Sequence, residues 1–368
     1  MHEIKLGFIP LVDCALLAIA KEKGFAEENG IQLSLHKEVS WANIRDKIYL
    51  GYLDGAQMLA GMPIAANLGL MPNSCEIVAP FVLGRNGNAI TVSRSLFAEM
   101  QKSNDTILEE LDLKKTGAAL KAVIDQRKIE GKTILRFGMV FPFSCHNYHL
   151  RYWMSSCGIE PDIDVHLEVI PPPFMDQYLE EGRIDGFCVG EPWNSLAVEQ
   201  DVGVIIATTK QVWAYSPEKM LGLRKQWVDT YPEALNALMK TLHQCVNWAM
   251  QSSNIDELSK LLSSHTYIDV PAEIIKRALT GDIKLKNAQD STQIENFLML
   301  NANKPEQAAA KWLFDQMVRW KQAENIDIHP DALKNAFATQ VYSEHLPSIQ
   351  YDIEIDYSLF DGKIIKGA

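Results

Sequence analysis

Five short segments carry side chains that can do chemistry, and each follows a strand-like run. Ser40-Trp41-Ala42-Asn43 opens a helical pattern. Ser40 is a natural N-cap there, and the free N–H groups of a first helical turn can hold an anion. Trp41 adds a flat wall and an indole N–H. In Gly87-Asn88-Ala89-Ile90, Asn88 can give two amide donors to an oxygen ligand. Phe143-Ser144-Cys145-His146-Asn147-Tyr148-His149 starts a helix, so His146 can donate from its N-terminus. In Gly190-Glu191-Pro192-Trp193 the proline suits the first helical position and Glu191 the positive end of the dipole. Tyr215-Ser216-Pro217-Glu218-Lys219 brings positive charge near a cleft. Each residue also has a structural reading: Trp41 as packing, Asn88 in a turn, His146 in a satisfied core, Lys219 on a solvated surface.

Two other chemistries are weighed on the same residues. The Cys145-His146-x-x-His149 spacing invites zinc, but a structural site needs a fourth ligand, and no second Cys/His pair stands at finger-like spacing. Enzyme signatures are absent: there is no Gly-x-Ser-x-Gly elbow, Walker A loop, Gly-x-Gly-x-x-Gly or His-Glu-x-x-His. The expectation is a binding protein without a metal or cofactor, not an enzyme.

The elements that must position these groups alternate in type. Glu3 to Ile9, Ile31 to Glu38, Gly55 to Leu59, Ile77 to Leu83 and Ala89 to Ser93 read as strands. Between them Asp13 to Lys23, Trp41 to Leu50 and Pro63 to Leu68 read as helices, with Asp13 as an N-cap. A second series follows charged helical sequence over 104–128. Its strands are Thr133 to Val140, Ile163 to Ile170, Ile184 to Val189 and Val202 to Ala207. Lys219 to Leu223 returns the chain to the first sheet, and the pattern is almost wholly helical from Tyr231 to Tyr351. Two such series predict an α/β protein with two lobes and a cleft, whose ligand sits beyond strand ends.

The chain has 368 residues, with 47 acidic and 35 basic side chains for a net charge of −12. Ordinary globular composition, 47% apolar and 22% charged, excludes wholesale disorder. The acidic balance argues against gripping nucleic acid or an anionic membrane surface. No run of about 18 apolar residues appears. The six dispersed cysteines look like reduced buried thiols, and no secretory pattern opens the chain. These signals set cytoplasmic localisation as the expectation.

The segments together resemble a known family. Leu6-Gly7-Phe8-Ile9-Pro10-Leu11-Val12-Asp13-Cys14-Ala15, Ser40-Trp41-Ala42-Asn43-Ile44-Arg45-Asp46-Lys47, Asn86-Gly87-Asn88-Ala89-Ile90-Thr91-Val92-Ser93, His146-Asn147-Tyr148, Leu150-Arg151-Tyr152-Trp153 and Val189-Gly190-Glu191-Pro192-Trp193-Asn194 are similar to motifs of the nitrate-binding proteins of the NrtA/NasS/CmpA group. The resemblance runs from about Glu3 to Tyr231. It implies a type II periplasmic-binding-protein fold with a helical C-terminal region. Residues 1–92 and 210–368 would form lobe 1 with the tail, and 93–209 lobe 2. It also implies an anion pocket made of Trp41, Asn88, His146 and Lys219. The amide position is a glutamine in the best-known nitrate carriers, so Asn88 is a departure with a shorter arm. Bicarbonate binders of the group are expected to lack the lysine.

The implied ligand, nitrate or nitrite, is a small monoanion rich in acceptors. One lysine balances its charge, and His146, Asn88 and backbone N–H groups can donate around its rim. At roughly −1.5 kcal/mol per non-hydrogen atom, four-atom nitrate gains about −6 kcal/mol, a Kd of tens of µM. On this reading Lys219→Ala abolishes anion binding without unfolding the protein. The role implied is that of a cytoplasmic nitrate/nitrite sensor of the NasS type, holding an ANTAR-family antiterminator (NasT type) inactive until ligand binds. The sensor itself contacts neither RNA nor membrane. Two rivals are a nitrate ABC transporter's binding protein with its signal peptide trimmed, and an enzyme like the pyrimidine-forming thiamine-biosynthesis proteins. The latter look different at their cysteine and histidine cluster.

Overall fold

The computed structural model describes residues 1–103, 111–324, 330–346 and 353–365. The first strands are β1 (His2–Phe8), β2 (Ile31–Lys37), β3 (Gly55–Leu59) and β4 (Ile77–Asn86). Then come β5 (Asn88–Ser93), β6 (Leu135–Met139), β7 (Val165–Val169), β8 (Gly186–Gly190), β9 (Gly203–Thr208) and β10 (Pro217–Arg224).

They form two sheets. The first is six-stranded, in the order Leu298–Met299, β4, β10, β3, β1, β2. Here β1 runs parallel to β2 and β3, while β10 runs antiparallel to β3 and β4. The second is five-stranded, in the order β7, β6, β8, β5, β9. Here β6 runs parallel to β7 and β8, and β5 antiparallel to β8 and β9. β3 and β4 are buried along their whole length, as strands covered on both faces must be.

The chain changes sheet at Gly87. Asn86 and Gly87 have φ of 59° and 74°, so two successive left-handed residues end β4 and start β5 in the other sheet. Asparagine and glycine are the residues that tolerate this conformation. A Cβ on Gly87 would also lie 2.8 Å from Leu298 Cδ1. The first crossover therefore falls before β5, not after residue 92: residues 88–92, assigned to lobe 1 by sequence, pair with β8 and β9 in the second sheet. The return crossing lies between β9 and β10.

The tail differs from its sequence reading in two ways. It is helical over Pro232–Ala249, Ile255–Leu262, Ala272–Thr280 and Gln307–Arg319. Between the last two, Asp282–Ile283 pairs with Thr292–Gln293, and Leu298–Met299 adds an edge strand to β4. Two-residue strands are too short to leave an alternating pattern in the sequence. The tail also serves both lobes. The Gln307–Arg319 helix packs on the Gly61–Asn67 helix of the first lobe and the Cys145–Ser156 helix of the second. Trp312 lies 5.5 Å from Trp213 and 5.3 Å from His149, ring centre to centre. Residues 325–329 and 347–351 of the expected helical run, and 104–110 of the charged stretch, lie outside the described residues; from Leu113 the rest of that stretch lies in one helix, Leu113–Ile129.

Arg85, buried near the end of β4, fastens the tail to this crossover. Its guanidinium donates to the carbonyls of Ala302 (2.7 Å), Tyr215 (2.8 Å) and Lys304 (2.8 Å), and to both oxygens of Glu306 (2.8 and 2.7 Å). Replacing Arg85 by alanine strands these acceptors. Breaking such a buried pair costs about 3–5 kcal/mol. We expect Arg85→Ala to lose stability on that scale in urea denaturation, whereas Lys311→Ala, which removes an exposed ion pair with Asp315, changes it by under about 1 kcal/mol.

Candidate ligand-binding site

Trp41 and His146 sit at the starts of helices that follow strands, Asn88 starts β5, and Lys219 lies near the start of β10. Ser40 caps the Trp41–Tyr49 helix, its hydroxyl accepting from Asn43 N at 3.2 Å, which places Trp41 at the helix's first position. Ser144 caps the Cys145–Ser156 helix in the same way, accepting from Asn147 N at 3.2 Å. The Cys145 thiol donates to the Pro217 carbonyl at 3.0 Å and pins this helix of the second lobe to β10 of the first. Burial pushes that thiol well above its usual range, so Cys145 is a structural hydrogen-bond donor here. Among the described residues no three His, Cys, Asp or Glu side chains are grouped to hold a metal.

β10 supplies Glu218 and Lys219 as neighbours. Successive strand residues normally face opposite sides of a sheet. The register of β10 against β4 shifts on either side of Lys219, an irregularity that re-aims side chains. Both neighbours thus meet the cleft groups. Lys219 Nζ lies 3.0 Å from Asp13 Oδ2 and 3.2 Å from Glu218 Oε1. Glu218 Oε1 also accepts from His146 Nδ1 at 2.8 Å. The Gln57 amide donates to Asp13 Oδ1 and accepts from Ile9 N at 2.9 Å. The Lys219 ammonium stands 5.6 Å from the centre of the Trp41 ring, within cation–π range. All of these side chains are buried.

Trp41, His146 and Lys219 are therefore brought together directly. Asn88, in the second sheet, lies across Gly190 from Leu11. It pairs with Gly190, and a Cβ on Gly190 would lie 3.1 Å from Asn88 Oδ1 and 3.3 Å from Leu11 Cδ2. Val12 N donates to the Glu191 carbonyl at 2.9 Å, closing this contact between the lobes. Asn88 Nδ2 reaches Thr209 Oγ1 at 3.4 Å. Trp41 Nε1, His146 Nε2 and Asn88 Oδ1 are buried and find no partner among the described residues. Buried polar atoms are rarely left so, and Trp41 Nε1 and His146 Nε2, on side chains that adjoin Lys219 and Glu218 respectively, are candidates for contact with a polar ligand.

The electrostatics revise the expectation for Lys219. Burial alone would depress its ammonium, but Asp13 and Glu218 outweigh that and hold it above the ordinary lysine value. Burial would raise Glu218, but Lys219 and His146 outweigh it and bring the carboxyl to about 2. Asp13 stays above its usual value because burial exceeds the pull of Lys219. Nearby, burial pushes His149 down to about 4 and Glu191 up to about 7. Lys219 is thus not an unopposed charge awaiting an anion; it sits between two carboxylates.

The sequence did not identify Asp13, Gln57 and Glu218 as part of this cluster. Asp13 is no N-cap: it lies in the 3-10 turn Val12–Cys14, ahead of the Ala15–Glu22 helix, and its side chain turns inward. Gln57, a polar residue inside an apolar buried strand, was the readable signal.

Residues 1–263 match the model of the NMT1-like family. The chain belongs to the NMT1-like family. Within it, the nitrate/nitrite binding protein NrtA of Synechococcus elongatus is 34% identical over 328 residues, 86% of this chain and 71% of that protein. The nitrate import ATP-binding protein NrtC of Synechocystis is 38% identical over 370 residues, 98% of this chain and 53% of that protein. The chain spans about half the length of the first curated relatives it matches, among which are bicarbonate transport proteins. The crystal structure of the periplasmic nitrate-binding protein NrtA from Synechocystis superposes with a TM-score of 0.85 at 28% identity, covering 98% of this chain and 94% of that one. The two-lobed fold is accordingly that of the type II periplasmic binding proteins. The relatives' names are those of binding and transport proteins, not of biosynthetic enzymes.

The cluster changes what removal of Lys219 does. Lys219→Ala leaves Asp13 and Glu218 as buried carboxylates without their cation, at a cost of about 3–5 kcal/mol. In the variant both carboxyls titrate higher when folded than when unfolded, so stability is regained as pH falls. We expect the thermal deficit of Lys219→Ala to shrink from about pH 8 to about pH 5. The wild type behaves oppositely at lower pH: Glu218, depressed to about 2, withdraws its stabilisation as pH falls from 4.5 toward that value.

Proposed function

We propose that this chain binds nitrate or nitrite between its two lobes, with Trp41, Asn88, His146 and Lys219 around the anion, and that it does so as a binding protein, not an enzyme. One observation carries the reading: Trp41, His146 and Lys219 are buried and linked, with Lys219 5.6 Å from the Trp41 ring centre and sharing Glu218 with His146, while Trp41 Nε1 and His146 Nε2 find no partner among the described residues. The relatives named for nitrate and nitrite give the ligand class, and the presence of Lys219 favours these anions over bicarbonate.

We further propose the cellular role of a cytoplasmic sensor. In this role the ligand-free chain holds an ANTAR-type RNA-binding antiterminator of nitrate-assimilation genes, and anion-driven closure releases it. The motif resemblance supports this role. The second reading, a substrate-binding unit of a nitrate ABC transporter, is favoured by the transport names of the relatives.

Calorimetric titration with nitrate, nitrite, bicarbonate and sulfate tests the ligand. We expect nitrate or nitrite to bind with a Kd on the order of tens of µM or tighter, and a preference for sulfate or bicarbonate would overturn the assignment. Co-purification tests the role: a complex with an ANTAR-type regulator that dissociates on adding nitrate supports the sensor, and a complex indifferent to both anions removes it.

A further inference from the structure

The bonding around His146 fixes where its protons can be. Glu218 Oε1 receives both His146 Nδ1 (2.8 Å) and Lys219 Nζ (3.2 Å). A carboxylate oxygen that faces an ammonium and an imidazole is an acceptor for both, so the ring proton is on Nδ1. That leaves Nε2, buried and without a partner among the described residues, as the atom that meets a ligand. On a neutral ring Nε2 is a bare lone pair. Nitrate and nitrite offer only acceptors, and a lone pair facing them repels. Nε2 becomes a donor only when the ring carries its second proton.

The local charge leads to the same place. Both oxygens of Asp13 accept, one from Gln57 and one from Lys219. With Glu218 ionised, the trio Asp13, Lys219 and Glu218 carries one net negative charge. A monoanion entering alone would double that charge in a buried site, at high cost. A monoanion entering with a proton leaves it unchanged.

We propose that nitrate or nitrite binds together with one proton, which resides on His146 Nε2, and that Glu218 is the positioning residue that turns this atom toward the anion. The inference rests on the anion assignment made above. Two carboxyls raised by burial, Asp13 and Glu191, are the competing sites for the proton, and uptake that persists in Glu191→Gln assigns it away from Glu191, whereas uptake lost in that variant overturns the assignment to His146. His149, three residues along the same helix, is held neutral by burial. The thiols of Cys145 and of Cys188 on β8 are already protonated. Asp13 is engaged on both oxygens, and Lys219 is charged. Charges on the other helices packed here are occupied elsewhere: Lys210 with the Glu295 carbonyl, Lys311 with Asp315, and Arg319 with Ser155.

Titration calorimetry of the wild-type chain with nitrate and with nitrite tests this, run in pairs of buffers that differ in ionisation enthalpy from about pH 6 to about pH 9. We expect proton uptake to rise toward about one per anion across this range, and the apparent Kd to weaken by about tenfold per pH unit where uptake is complete. Binding with no proton uptake and a flat Kd throughout overturns the proposal while leaving the anion assignment intact. No binding of either anion at any pH overturns both. Glu218→Gln keeps an acceptor for Nδ1–H but removes the charge that sustains the imidazolium. Its uptake curve should move to lower pH, and an unmoved curve overturns the part given to the Glu218 charge. Glu218→Ala, which frees Nδ1, should lose affinity at every pH while Glu218→Gln keeps it at low pH, and equal affinity in the two variants overturns the positioning role.

Discussion

The hydrogen bond between His146 and Glu218 spans the two lobes, and much of the site's arrangement follows from it. His146 opens a helix of the second lobe, and Glu218 lies on β10 of the first. Both are buried, so neither can be left without a partner at small cost. Glu218 needs Lys219 as well as His146, and Lys219 in turn needs Asp13. Asp13 is steadied by Gln57, whose other end is tied to the β1 edge through Ile9 N. The polar chain thus runs from the first sheet's centre across the cleft into the second lobe. Each link satisfies the next, and the chain is left open at His146 Nε2 and Glu218 Oε2, which have no partner among the described residues.

The fold makes that chain possible by returning β10 to the middle of the first sheet, between β3 and β4. Gln57 of β3 therefore neighbours Leu221 in the same sheet as Lys219. The irregular register beside β4 turns two consecutive residues toward a single cleft. Across the gap, β5 is seated between β8 and β9, which puts Asn88 at the end of the second sheet nearest the crossover. Arg85 and Asn86 hold the crossover itself: Asn86 Nδ2 donates to the Ala214 carbonyl at 2.6 Å, tying the outgoing strand to the returning one. The tail helix then braces both lobes through Trp312, against His149 and Trp213.

Much of this was legible because periodicity reports long elements well. β1, β2, β3, β9 and the capped helices at Trp41 and Cys145 stood in the sequence as alternating or strongly apolar runs with Ser at their starts. The Asn86-Gly87 pair was visible as a turn, but a turn and a change of sheet use the same residues, so the lobe boundary was set several positions late. The two-residue strand Leu298–Met299 carries no period at all. Trp41, Asn88, His146 and Lys219 were named from their types and motif positions. Their counter-charges were not, because Asp13 near a helix start reads as a cap and Glu218 next to a lysine reads as a surface pair. Only long-range pairing, 206 positions apart along the chain for Asp13 and Lys219, gives them their role.

The size of the proposed ligand gives a reason for dividing the proposed site between lobes. Moving a two-state equilibrium from 1:99 to 99:1 takes about 5.5 kcal/mol of differential affinity. Four-atom nitrate has only about 6 kcal/mol to give in total. An anion held mainly by one lobe would spend its binding energy equally on open and closed forms and shift nothing. On the proposed assignment Trp41 and Lys219 come from the first lobe and Asn88 and His146 from the second, so the full set of anion contacts needs both lobes together. The His146–Glu218 bond already favours closure without ligand, which lowers what the anion must supply. It also sets the limit: were that bond stronger, the lobes would stay shut and the anion would have nothing left to shift.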